Sequence, residues 1–299
     1  MNNHALECIR KAGAIAGEAL EMAENLIDEG VRYIDIALEV EEFIKKKGAR
    51  PAFPVNISVN EIAAHFTPAP NDGARLKRGD LVKIDVGAHV EGFIGDTAAT
   101  VEVGTRNYEE LIRAAEEALR IAIDVVNDGV SASVIGGTIE RTIKDAGFKP
   151  VVNLTGHSMT QYNLHAGLSI PNIDDGITAK VCNDMVVAIE PFATNGAGEV
   201  RSGKLGNIYR ISVEKPVKDV KAKEFFDELK KRFKTLPFCD RWCQDISKEA
   251  SVLIKYLYRH GLISGYPVLV EVDGGVVSQA EHTVFIHNSR KEITTLRKP

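Results

Sequence analysis

The stretch Leu81-Val-Lys-Ile-Asp85-Val-Gly-Ala-His89-Val-Glu-Gly-Phe-Ile-Gly-Asp96 reads as two strands joined near Val90-Glu91. A tight turn there sets Asp85 directly opposite Asp96, where Cβ atoms stand about 4.5–5.5 Å apart. Two carboxylates so close repel unless one holds a proton or a cation lies between them. Both flank apolar residues, so water does not relieve the cost. Three readings stay open for the pair: a metal site, a proton-sharing dyad, or a register one or two residues off that leaves the acids in solvent or turns. The dyad lacks the Asp-Thr-Gly or Asp-Ser-Gly loops that would support it. His89 falls in the expected turn, facing solvent.

Other residues of the same chemistry lie further along. Glu190 ends the apolar run 185–189, and Glu281 sits inside the apolar run 276–285. A buried carboxylate needs a partner; a Lys or Arg would serve, but four such acids with no base placed to pair them favour a cation. His157, in Thr155-Gly156-His157-Ser158, supplies an imidazole, although a lone histidine is more often structural. Asp85, Asp96, Glu190 and Glu281 carry four negative charges, which two divalent ions neutralise. Oxygen-rich ligation with one imidazole suits Co, Mn, Fe or Zn. Two such ions a few ångströms apart make water acidic enough to act as a nucleophile near neutral pH. His282 points away from the Glu281 face, as alternation along a strand requires.

A repeat surrounds these segments. Residues 5–29 and 34–47 read as two helices broken at Gly30-Val31 and closed by Gly48. Residues 108–127 and the helix after Gly129-Val130 repeat the plan and close at Gly147. Each pair leads into β-rich sequence, over residues 81–103 and 185–192. The expected fold class is α+β, two pseudo-symmetric α/β halves around a central antiparallel sheet. A crevice between the halves is a natural place for a site. Residues 207–265 break the symmetry with two helical patterns, 222–233 and 245–260, separated by Thr235-Leu236-Pro237-Phe238. Strand sequence then resumes over 266–272, and with Asp273-Gly274-Gly275 and 276–286 reads as a hairpin. The division is a main domain of residues 1–206 and 266–299, duplicated as roughly 1–105 and 106–206 plus 266–299, with a helical insertion at 207–265.

The 299 residues are 44% apolar and 26% charged, an ordinary globular balance. A net charge of -5 gives no basic field to hold nucleic acid. No run is long and apolar enough to span a membrane, and residues 1–10 lack a signal-peptide pattern. Four cysteines are too few for a disulfide framework, so the cytoplasm is the expected compartment. Nothing suggests an obligate dimer, and a monomer is expected. Residues 221–234 read as a solvated charged helix face.

The order Asp, Asp, His, Glu, Glu across two similar halves resembles the pita-bread metallopeptidases, and within them the type 2 methionine aminopeptidases. The strings that carry this are Pro51-Ala52-Phe53-Pro54, Ala63-Ala64-His65-Phe66-Thr67-Pro68, Lys83-Ile84-Asp85-Val86-Gly87, Gly95-Asp96-Thr97-Ala98, Gly156-His157-Ser158, Ile189-Glu190-Pro191-Phe192, Gln279-Ala280-Glu281-His282-Thr283 and the Thr235–Phe238 segment. They cover essentially the whole chain. The resemblance implies a pita-bread fold, two divalent metal ions and release of the N-terminal methionine of nascent polypeptides, preferably before a small residue. It implies that Asp96 and Glu281 bridge the ions, that Asp85 holds one, and that His157 and Glu190 hold the other. Glu190 is the implied proton shuttle, and His165 and His65 contact the substrate. Phe53, Leu164, Phe192 and Tyr266 form the implied methionine pocket. The early start of helix is similar to the compact archaeal form, without a long charged extension; a transient ribosome contact is at most an expectation for the charged helix. Relatives acting on Xaa-Pro bonds, and non-catalytic protein-binding members of the fold, are the alternatives.

Overall fold

A computed structural model describes residues 1–213 and 215–296. Helices α1 (Asn3–Asn25) and α2 (Tyr33–Lys46) precede β1 (Arg50–Pro51), β2 (Asn56–Val59), β3 (Ile62–Ala64) and a long hairpin, β4 (Leu81–Val90) with β5 (Phe93–Glu102). Helices α3 (Glu109–Val125) and α4 (Ala132–Asp145) precede β6 (Lys149–Pro150), β7 (Thr155–Met159), β8 (Ser169–Pro171), β9 (Val186–Ile189) and β10 (Phe192–Thr194). After β11 (Val200–Ile211) come α5 (Val220–Phe233), β12 (Phe238–Cys239) and α6 (Ala250–Arg259). The described chain closes with β13 (Ile263–Glu271), β14 (Val277–Gln279), β15 (His282–His287) and β16 (Arg290–Ile293).

The repeat seen in the sequence extends to individual hydrogen bonds. Gly30 and Gly129 both adopt positive φ, 82° and 86°. Their N–H groups donate to Leu76 O and Val181 O, each at 2.8 Å, and the same two residues donate back to Val31 O and Val130 O, each at 2.9 Å. Gly48 and Gly147, at φ 80° and 86°, close the second helix of each pair. Helix α1 is four residues shorter at its end than the sequence pattern suggests, because the Asp28 side chain accepts the Glu29 N–H at 2.7 Å and competes with the helix. Likewise α6 starts only at Ala250, after Ser247 Oγ takes the Glu249 N–H.

All strand pairs are antiparallel, in four sheets. The two that matter for the site are β1-β4-β2 with β5 on β4, and β16-β15-β9-β7-β8. They join where Ala98 and Glu281 exchange backbone hydrogen bonds and Thr283 Oγ1 accepts the Asp96 N–H at 2.8 Å. Apolar faces of α1 and α2 pack on the first sheet through Ile15 and Leu20 of α1 and Ile36, Val40 and Ile44 of α2; α3 and α4 pack on the second through Leu111, Ile135 and Ile139. Two glycines let these layers approach beside future site residues. A Cβ on Gly95 would lie 2.5 Å from Gly13 Cα of α1, and one on Gly156 would lie 2.3 Å from Ala188 O of β9.

Two expectations are corrected. The β4–β5 turn falls on Glu91-Gly92, both at positive φ (51° and 89°), as a two-residue hairpin of this hand requires. The register is therefore shifted by two: Asp85 faces Ala98 and Asp96 faces Gly87. A shift of two keeps both acids on one face, as diagonal neighbours. His89 then stays inside β4, buried, with Nδ1 accepting the Gly92 N–H at 3.1 Å; burial pushes its pKa down to about 4. The second correction concerns residues 266–286, which form no hairpin. The buried Glu271 carboxylate accepts N–H groups from Asp273 and Gly275 and from Ala197 and Gly198, which turns the chain away. So β13 pairs with β11 and β3, while β14 pairs with β10.

The helices between β11 and β13 have their own core around Phe225, Phe226, Leu229 and Leu257. They are fastened to the first half by a buried ion pair. Arg241 Nη2 donates to Glu41 Oε1 of α2 at 2.5 Å, Trp242 Nε1 donates to Glu41 Oε2 at 2.7 Å, and Arg241 Nη1 donates to Pro68 O at 2.7 Å. Burial outweighs the Arg241 attraction and pushes the Glu41 carboxyl upward, so each partner depends on the other. Replacing Glu41 with Ala strands the Arg241 charge, and chemical denaturation should show a loss of about 3–5 kcal/mol; a change below about 1 kcal/mol would mean the pair is dispensable.

Candidate metal centre

One cavity of about 230 Å³ opens where the two halves and the insertion meet. Asp85 enters it from β4, Asp96 from β5, His157 from β7, Glu190 from the end of β9, and Glu281 from just before β15. His157 Nε2 stands 3.7 Å from Asp96 Oδ2 and 3.6 Å from Glu190 Oε1. Donor atoms of Asp96, His157 and Glu281 all lie within 4.8 Å of one another. Gln279 Nε2 donates to Glu281 Oε2 at 3.4 Å. Asp85 Oδ1 and Asp96 Oδ1 are buried without a hydrogen-bond partner.

No Lys or Arg lines this cavity among the described residues. Lys83, two residues before Asp85, is a fully buried amine that the sequence reading passed over, its pKa lowered by burial to about 7. Its Nζ donates to Asn60 O at 2.7 Å, not to a site carboxylate. The acids consequently repel. Burial pushes the Asp85 pKa up to about 7. Burial and the charge of Asp85 push Asp96 well up; Glu190 and Glu281 rise through burial and then Asp96. Burial lowers His157 to about 3, which leaves a neutral imidazole with a free lone pair for a cation. Clustered carboxylates, orphaned buried oxygens and a neutral imidazole fit divalent metal ions.

The other expected residues line the same cavity. His65 follows β3 with φ 64°, an uncommon conformation for a side chain that size. Its ring meets Tyr266 at 5.2 Å, and His165 lies 6.4 Å from the same Tyr266 ring and 4.4 Å from His157. Phe53, Leu164 and Phe192 supply apolar wall. Sequence reasoning missed Asn56, Leu154, Ile208 and Pro237, which also line it. Asn56 pairs directly with Asp85 across β2 and β4, and its Oδ1 is buried and unpartnered. Pro237 belongs to the quoted Thr-Leu-Pro-Phe string, but nothing local in that string aims it at a cavity.

Comparison with known proteins agrees with this geometry. The model of metallopeptidase family M24 matches residues 7–217. A methionine aminopeptidase of Archaeoglobus fulgidus is 46% identical over 99% of this chain and 100% of its own. One from Methanocaldococcus jannaschii is 43% identical over 97% of this chain and 98% of its own. The crystal structure of methionine aminopeptidase from Thermotoga maritima superposes with a TM-score of 0.72 at 24% identity, covering 100% of this chain and 98% of that one, and shows the fold is shared.

The raised carboxylates give a pH signature. A carboxyl whose folded pKa exceeds its unfolded value favours folding while protonated and loses that advantage as pH rises through the folded value. The lowered histidines act oppositely, but only below their unfolded pKa near 6.5. Lys83, lowered by burial to about 7, also acts oppositely above that value, so the carboxylates are read against a metal-loaded reference. The melting temperature of chelator-treated protein should fall further behind that of metal-loaded protein as pH rises from the ordinary 3.8 of an aspartate to about 7; a gap that does not widen would contradict the clustering.

Proposed function

We propose, for a chain that belongs to metallopeptidase family M24, that Asp85, Asp96, His157, Glu190 and Glu281 hold two divalent metal ions. The activity is metal-dependent removal of an N-terminal methionine. The observation that carries the site assignment is four carboxylates around one cavity with no Lys or Arg on its wall among the described residues. Asp96 and Glu281 would help to hold both ions, Asp85 would hold one, and His157 with Glu190 would hold the other. Bound there, divalent ions supply Lewis acidity and a water acidic enough to attack an amide near neutral pH.

The chain's own groups do the rest. Glu190, its pKa raised by burial and by Asp96, is suited to take a proton and return it to the leaving amine. His165, its pKa lowered by burial, is neutral and can donate an N–H to the scissile carbonyl. His65 differs. Its Nδ1 lies 3.3 Å from Pro267 O, which can only accept, so Nδ1 carries the proton. Nε2 then offers a lone pair, which suits an N–H of the substrate better than an oxyanion. Phe53, Leu164, Phe192 and Tyr266 receive the methionine side chain. The preferred next residue is small: Gly, Ala or Ser.

The substrates are nascent chains in the cytoplasm; no helix among the described residues is long and apolar enough to cross a membrane. Charge alone gives α5 little hold on a ribosome, since Lys223 pairs with Asp227 and Arg232 with Glu228 on the helix itself. Methionine release from Met-Ala-Ser tests the roles. Glu190→Gln should lose release while retaining at least one metal ion, and full activity there would sink the shuttle. His165→Ala should keep its metal and lose about 10²–10³ in kcat; an unchanged kcat removes it from the mechanism.

A further inference from the structure

A second set of metal-type donors converges away from the cavity, where the start of α1 meets the tip of the β4–β5 hairpin. His4 and Cys8 are one helical turn apart, so they share a face. Glu91 occupies the first turn position of the hairpin, and its backbone is held there by the Gln161 side chain, which donates to Glu91 O at 2.8 Å. His4 Nε2 lies 2.9 Å from Glu91 Oε2 and 3.7 Å from Cys8 Sγ. All three donor atoms lie within 4.8 Å of one another.

Tetrahedral zinc, with Zn–S about 2.3 Å and Zn–N and Zn–O about 2.0–2.2 Å, sets its donors roughly 3.4–3.6 Å apart. The His4–Cys8 spacing already lies close to that range. Glu91 has to withdraw by roughly half an ångström to reach the same geometry, and its side chain is 61% exposed and has the room. We propose that His4, Cys8 and Glu91 bind one zinc-type divalent ion, with solvent in the fourth position. One thiolate, one imidazole and one carboxylate select zinc or cobalt over manganese or magnesium. Burial and Glu91 hold the Cys8 thiol up as a free group; the cation takes the place of that proton. The ion ties α1 to the hairpin tip, and Tyr162 N–H on Gly92 O at 2.8 Å carries the tie to the segment bearing His165.

No Cys or Met lines the main cavity among the described residues, so a spectroscopic signal separates the two sites whatever the cavity does. Cobalt(II) added to the chelator-treated full chain should give a near-ultraviolet thiolate-to-cobalt charge-transfer band whose full intensity corresponds to one thiolate-bound ion per chain, over and above the cobalt taken up by the cavity. The band should persist in Cys182→Ser, vanish in Cys8→Ala, and require more cobalt in Glu91→Gln and His4→Asn. The last two residues are exposed, so those variants keep the test valid if Cys8→Ala folds poorly. No band in the wild-type chain, or one that survives the loss of Cys8 or is indifferent to Glu91 and His4, overturns the proposal.

Discussion

Like charges gathered in a buried place are the constraint on which this structure turns. Asp85, Asp96, Glu190 and Glu281 converge on one cavity whose wall, among the described residues, carries no Lys or Arg. Such a cluster is tolerable only if protons or cations neutralise it. Protonation answers part of the need in the absence of metal: burial lifts all four carboxyls, and repulsion from neighbouring acids lifts Asp96, Glu190 and Glu281 further. Divalent ions answer it at neutral pH and bring the chemistry of hydrolysis with them.

The surrounding fold holds the acids together against this repulsion. Asp96 is braced by α1, which lies so close that only glycine fits at Gly95, and by Thr283 on its backbone. His157 follows Gly156, where β7 meets β9 too closely for a Cβ. Each half therefore delivers site residues from strands pinned by glycine contacts, and the exchange between Ala98 and Glu281 locks the halves in register. The insertion closes the remaining side. Its Pro237 lines the cavity while Arg241 and Trp242 anchor it to Glu41.

Much of the site was legible because its residues are chemically conspicuous in their local setting: acids inside apolar runs, and helix breaks that recur at a fixed spacing. What stayed hidden depends on geometry that short sequence does not encode. The hairpin turn sits one residue later than expected because Gly92, not Glu91, is the residue that suits the second positive-φ position. The misplacement moved Asp85 and Asp96 apart by one diagonal and put His89 inside the sheet. The Asp273-Gly274-Gly275 turn looked like a hairpin because the two flanks alternate well; Glu271 decides otherwise through bonds to residues some 74 positions away. Asn56 and Ile208 were invisible as site residues for the same reason, since only pairing across sheets brings them to the cavity. The tautomer of His65 likewise follows from a carbonyl 202 positions distant.

Manganese titration of chelator-treated protein, with metal binding and methionine release from Met-Ala-Ser followed together, tests the central claim most directly. Manganese favours the carboxylate cavity over a thiolate site. The expected result is two ions bound per chain and release that appears only as they bind. Release without any metal, or an intact fold that binds none, would contradict the view that this cavity exists to hold cations.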